Sequence, residues 1–103
     1  MTDLPVSRPI ARIPTHPGEL MREILDDHVR LPIAEAAVRM KVSPPVLDAV
    51  LNGGDAVTAD LALRFGRLTG GAAELYVQMQ AQYDLWTARE QLKDTLAQIE
   101  PAA

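Results

Sequence analysis

The stretch from Leu31 to Gly54, LPIAEAAVRMKVSPPVLDAVLNGG, reads as two short helices joined by a tight turn. Its first half places Ile33, Ala36, Ala37 and Met40 at the i, i+3, i+4, i+7 spacing of one helix face. Ser43 then has the chemistry of an N-cap, and Pro44 suits the first helical position, where no backbone N–H is needed. A second helix carries Val46, Leu47, Val50 and Leu51 before Asn52-Gly53-Gly54 stops it. Two short helices around a tight turn are the outline of a helix-turn-helix, whose second helix enters the major groove of DNA.

The flanks read as further helices. Residues 1–15, MTDLPVSRPIARIPT, hold three prolines and no helical period, and read as an extended, mildly basic arm carrying Arg8 and Arg12. At His16-Pro17-Gly18-Glu19 a helix opens, with His16 as its cap, Pro17 at the first position and Glu19 near the orphan N–H groups. Leu20, Met21, Ile24, Leu25 and Val29 form its apolar face, with Arg22, Glu23, Asp26 and Asp27 outside. After the motif, Thr58 caps TADLALRFGRLTG, where Leu61, Ala62, Leu63, Phe65 and Leu68 wrap most of the circumference and predict a buried central helix. Gly70-Gly71 ends it. From Ala72 to Ile99 there is neither proline nor glycine, so one long helix or two abutting ones follow. Leu75, Met79, Tyr83 and Trp86 are its expected docking residues. Beyond them Leu85, Leu92, Leu96 and Ile99 continue an apolar stripe past the domain. Such a stripe calls for a second copy or another protein, unless it folds back on its own core.

Composition agrees with an all-α chain. Of the 103 residues 48% are hydrophobic but only four are aromatic, so the core is built from Leu, Val, Ile, Met and Ala. There is no cysteine, hence no disulfide or thiolate metal site, and a reducing cytoplasm is the compatible setting. No apolar run approaches the roughly 20 residues of a membrane span, and no signal-peptide core is visible at the start. His16 and His28, the two histidines, show no metal-ligand spacing, so neither metal nor cofactor is expected. Without a nucleophile beside a histidine, a phosphate-cradling glycine loop or paired carboxylates in a cleft, an enzyme is not expected either. Net charge is −4, and residues 72–103 alone hold five acids and two bases. Nucleic-acid binders are usually basic on at least one face, so this balance opposes strong binding by a single copy, and the acidic third suits a basic protein partner.

Four segments together resemble a known family. HPGELMREIL at 16–25, KVSPPVLDAVLNGG at 41–54, VTADLALRFGRLTG at 57–70 and LYVQMQAQYDL at 75–85 are similar, in that order, to the HigA-type antitoxins of bacterial toxin–antitoxin operons. The resemblance spans roughly residues 9–88. It implies an all-α, five-helix, Xre/Cro-like (lambda-repressor-like) domain over 16–88, preceded by the arm at 1–15 and followed by an extended C-terminal helix over 89–103. It further implies a homodimer that neutralises a RelE-like (HigB-type) mRNA endonuclease and represses its own operon through the helix-turn-helix. Departures accompany it. Pro32 stands where the family has a polar cap. Lys41 occupies a turn position usually held by glycine and must turn left-handed, at about 1 kcal/mol. Asn52, Gly54 and Asp55 stand where arginine or lysine is common.

On this reading the base-contacting candidates are Pro45, Val46, Asp48, Ala49 and Asn52. Val46 and Ala49 suit a thymine methyl, Asn52 an adenine and Asp48 a cytosine amine, while no arginine is placed for guanine. Phosphate contacts fall to Arg39, Lys41, Ser43, Thr58 and the helix N-termini. Two alternatives stay open: a module on this fold that sequesters a protein with little or no DNA binding, and a transcriptional regulator without a toxin partner.

Overall fold

The computed structural model describes residues 13–103, so the arm reading of residues 1–12, Arg8 and Arg12 included, lies outside the described residues. The elements are α1 (Pro17–Glu23), α2 (Ile33–Met40), α3 (Pro44–Leu51), α4 (Ala59–Thr69), α5 (Ala73–Gln91) and a short α6 (Lys93–Ala97). No strand occurs among the described residues. None of their helices is long and apolar enough to cross a membrane. The architecture is the all-α helix-turn-helix domain expected, with the C-terminal helix broken at Leu92.

The caps act as their chemistry dictates, with one exception. His16 is extended (φ −66°, ψ 134°), and its Nδ1 accepts the Gly18 N–H at 2.9 Å. Thr58 Oγ1 accepts from the Leu61 N–H at 3.1 Å, and Gly70 closes α4 at φ 83°. Ser43 takes the N-cap conformation but makes no side-chain cap bond. The next two residues are prolines without N–H groups, and the Val46 N–H is bound by the Ser43 carbonyl instead, so the hydroxyl has nothing to accept. Lys41 does enter the left-handed region, at φ 61° and ψ 42°. Arg64 of α4 steadies that turn by donating to the Met40 and Lys41 carbonyls at 2.9 and 3.2 Å, while also pairing with Asp60. A cation at the C-terminal end of α2 satisfies carbonyls that the helix leaves open.

One feature of α1 is absent from the periodicity. The helix widens into a π-helical turn over Ile24–His28, closed by Val29 N–H to the Ile24 carbonyl, and leaves it through Arg30 at φ 55°. The wide turn keeps Leu25 in the core while Ile24 and Val29 pack at its edge.

The core joins all the main helices: Met21 and Leu25, Ala36, Ala37 and Met40, Leu47, Val50 and Leu51, Val57, Leu61, Ala62, Phe65 and Tyr76. Helix α1 crosses α3 backbone to backbone, since a Cβ added at Gly18 would lie 2.0 Å from the Val50 carbonyl oxygen. Phe65 and Tyr76 meet edge to face, with centroids 5.3 Å apart. Two expectations are corrected. Leu63 is not part of a buried circumference but is 65% exposed, because it lies with Asp60 and Arg67 on the one stripe of α4 that neither α2 nor α5 covers. In α5 the docking row is Tyr76, Gln80 and Tyr83 rather than one led by Leu75, which is exposed. Met79 and Trp86 are half-buried beside that row. Leu85, Leu92, Leu96 and Ile99 are all exposed; the tail does not fold back to cover them.

Candidate nucleic-acid interface

Helix α3 divides cleanly between core and surface. Leu47, Val50 and Leu51 are buried and hold it on α1 and α2, and this turns Pro44, Pro45, Val46 and Asp48 outward, with Ala49 half-buried and Asn52 exposed at the end. The five base-contacting candidates therefore share one surface of the helix. Its chemistry is apolar at the N-terminal end, through Pro45, Val46 and Ala49, and polar at the C-terminal end.

That polar end is not a free aspartate and a free asparagine. Asn52 Nδ2 donates to Asp48 Oδ2 at 3.1 Å, one helical turn back. Asn52 Oδ1 in turn accepts from Arg22 Nη2 at 2.9 Å, and the same nitrogen lies 3.8 Å from Asp48 Oδ1. Arg22 belongs to α1, and the packing of α1 over α3 carries its guanidinium onto the recognition surface. An arginine therefore stands beside these candidates, although α3 itself holds none. Periodicity had set Arg22 correctly on the outside of α1; only the crossing of the two helices says what lies beside it.

The phosphate candidates fall into separate places. Arg39 and Lys41 are exposed and line an open concavity between α2 and α4, of about 580 Å³, together with Arg64, Arg67, Leu63 and Leu68. Arg39 is within 4.0 Å of Glu35, one turn away, and Arg64 is committed to Asp60 and the α2 carbonyls. Ser43 stands at the start of α3 with its hydroxyl unspent on capping, and Thr58 stands at the start of α4, its oxygen accepting from Leu61 while its own proton stays available. The N-terminus of α3 is not the anion site that a helix start normally offers. Two of its first three residues are prolines, and the third N–H, on Val46, is already bonded. Any grip on a phosphate near α3 comes from side chains and from the Ser43 N–H that precedes the prolines.

Two buried polar side chains, His16, expected only as a helix cap, and Gln80, not singled out by spacing, hold the loop behind α3. His16 is 7% exposed; since Nδ1 accepts from Gly18, Nε2 carries the proton and faces the Asp55 carbonyl at 3.1 Å. Its ring meets Tyr83 of α5 edge-on, with centroids 5.1 Å apart. Gln80 Oε1 accepts the Val57 N–H at 2.8 Å, and its Nε2 donates to Asp84 at 2.9 Å. Helices α1 and α5 thus fix the residues that leave the recognition helix.

Comparison with known proteins places this geometry among characterised relatives. No family model matches the chain. The virulence-associated protein I of Dichelobacter nodosus is 37% identical over 86 residues, covering 84% of this chain and 79% of that protein. Among solved structures, the Pseudomonas aeruginosa antitoxin HigA with the higBA promoter is 30% identical, covers 87% of this chain and 99% of its own, and superposes with a TM-score of 0.79. The antitoxin GraA in complex with its operator is 27% identical over 92% of this chain and 97% of its own, with a TM-score of 0.80.

Proposed function

The chain belongs to the HigA-type antitoxin family of helix-turn-helix proteins, and on that footing we propose that it represses its own operon and neutralises a RelE-like toxin encoded beside it. The observation that carries the DNA half is the outward face of α3. There a hydrogen-bonding pair, Asp48 and Asn52, stands beside the apolar surface of Pro45, Val46 and Ala49, and the core residues between them hold the helix rigidly. Structures of HigA with its promoter and GraA with its operator support this reading, since both proteins superpose over nearly their whole length. Asn52 would read adenine, Asp48 a cytosine amine, and Val46 and Ala49 thymine methyls, with Arg39, Lys41, Ser43 and Thr58 on phosphates.

The protein half rests on the tail. Within a domain over 16–88 and an extension over 89–103, the exposed Leu85, Leu92, Leu96 and Ile99 would form the face for a second copy or for the toxin. A dimer sets two recognition helices on two half-sites about one turn of DNA apart. The setting is the cytoplasm, where promoter and messenger are both accessible.

A second reading is favoured by one specific observation. The start of α3 keeps only the Ser43 N–H open, and the helix itself carries no cation, which fits a module that sequesters the toxin and scarcely binds DNA. One experiment separates them. The full chain is co-expressed with the adjacent reading frame, what co-purifies is weighed, and a gel shift on the chain's own promoter is titrated with salt. Retardation together with a co-purifying toxin supports the proposal. A toxin without retardation at low salt leaves the sequestering module, and retardation without a toxin leaves a plain transcriptional regulator. Leu92→Asp with Leu96→Asp should reduce the mass to one copy or abolish co-purification. Unchanged mass and binding would remove the tail from the interface.

A further inference from the structure

On the recognition surface one basic side chain is held by two neighbours that are themselves placed to read bases. Arg22 Nη2 donates to Asn52 Oδ1 at 2.9 Å and lies 3.8 Å from Asp48 Oδ1, while Asn52 Nδ2 bonds Asp48 Oδ2. All three remain open to solvent, with 38% of the Arg22 side chain and 52% of the Asp48 side chain accessible. Arg22 is hydrogen-bonded to Asn52 alone, and Asp48 faces it as an ion pair while accepting from the Asn52 amide. Asp48 pairs ionically with Arg22 and accepts from Asn52, or can accept from a cytosine amine instead, and a guanidinium no longer paired with it is free for a phosphate oxygen.

We infer that Asp48 masks Arg22, and that the operator lifts the mask by offering Asp48 a cytosine amine, which turns Arg22 onto a backbone phosphate. This rests on the proposal that α3 reads DNA and names the cation that α3 itself lacks. The device makes phosphate affinity conditional on sequence. On DNA without a cytosine at that place the carboxylate keeps the guanidinium, and its negative charge also faces the backbone unrelieved. On the operator one base contact and one phosphate contact form together. Arg22 is thus a specificity-determining residue that need not touch a base.

The test is a double-mutant cycle, Arg22→Ala, Asp48→Asn and the pair, with full-length protein. Binding is followed by fluorescence anisotropy against salt, on the promoter fragment and on a shuffled fragment of equal length. A phosphate contact adds about 0.9 to the slope of log affinity against log salt, about three- to fourfold between 50 and 200 mM. On the shuffled fragment the wild type and Arg22→Ala should share one slope. Asp48→Asn should be steeper by about 0.9, and that gain should vanish in the pair. On the promoter, Arg22→Ala alone should lower the slope by about 0.9. If Asp48→Asn steepens the slope equally with and without Arg22, the carboxylate merely repels DNA and the mask is refuted. If Arg22→Ala changes neither slope on either fragment, Arg22 is no phosphate contact and the inference falls while promoter binding stands. A wild type that binds neither fragment removes the DNA reading itself, and the mask with it. Thermal melts of the exposed-site variants should coincide with the wild type, which separates these outcomes from loss of folding.

Discussion

Gln80 offers the sharpest check on how the scaffold supports the recognition helix. Its side chain is 6% exposed, and Oε1 takes the N–H of Val57, itself 5% exposed, in the loop between α3 and α4. Gln80→Leu keeps the volume but removes the acceptor, leaving a buried N–H with no water to turn to. Stranding such a donor costs about 1–3 kcal/mol, and the more apolar leucine offsets part of it, so a net loss of about 1–2 kcal/mol is expected. At this chain length each kcal/mol moves the melting temperature by roughly 4–8 °C, which gives a drop of about 5–15 °C. Asp84→Ala is the internal control. It removes only the partner of Gln80 Nε2 on an exposed residue and should change stability by about 0.5 kcal/mol or less. Urea titration reads both variants, with an unchanged m-value showing that compactness is preserved. Hydrogen exchange at the Val57 amide locates the effect, because that proton should lose protection first. A Gln80→Leu midpoint matching the control, or undiminished protection at Val57, would refute the claim that this bond holds the loop.

Lys41→Gly should raise stability, by about 0.5–1 kcal/mol in urea titration. It removes the left-handed strain at φ 61°, about 1–2 kcal/mol, against the smaller entropic cost of glycine. The same change should lower the salt slope of promoter binding by about 0.9 if Lys41 holds a phosphate, so stability and affinity move in opposite directions. Tyr76 sets an alkaline limit: burial raises its pKa above the usual 10.0, with the Thr69 hydroxyl opposing. A raised folded-state value means the stabilising contribution is intact below the ordinary tyrosine range and is lost as pH climbs through the shifted one. Circular dichroism at fixed urea should therefore show unfolding beginning above pH 10, and Tyr76→Phe should move that onset to higher pH.

Most of the architecture was legible because it rests on local chemistry. The His16-Pro17 start, the Thr58 cap and the Gly70 stop are each set by one residue's own donors, acceptors or backbone freedom, whereas the left-handed Lys41 was expected from the family resemblance alone. Ser43 failed as a cap for an equally local reason, the two prolines after it. The buried row of α5 was illegible by pattern because one of its members, Gln80, is polar. Counting apolar residues favours the row of Leu75 and Met79, whereas hydrogen bonding to Val57 puts Gln80 inside. Leu63 misled in the opposite sense. A leucine on a helix that is apolar nearly all round reads as core, yet α2 and α5 leave one stripe of α4 uncovered, and Leu63 stands on it. The π-helical turn at Ile24–His28 has no spacing signature, since it shifts the register only once.

The site was legible as positions and not as electrostatics. All five base-facing candidates could be placed from the period of α3, but the ion that completes their surface comes from α1. This bears on how such an acidic chain could hold DNA. With no cation on α3 and only the Ser43 N–H open at its start, the three cations proposed for phosphates among the described residues, Arg22, Arg39 and Lys41, give one copy a salt slope of about −2.7. Two copies on two half-sites double the slope to about −5.4, for which affinity falls about 1,800-fold between 50 and 200 mM salt. The monomeric product of Leu92→Asp with Leu96→Asp should therefore show half the wild-type slope on the promoter, although neither leucine lies near α3. A monomeric variant with the full slope would mean that one copy reaches every phosphate, through cations outside this trio, and that dimerisation serves the protein partner alone.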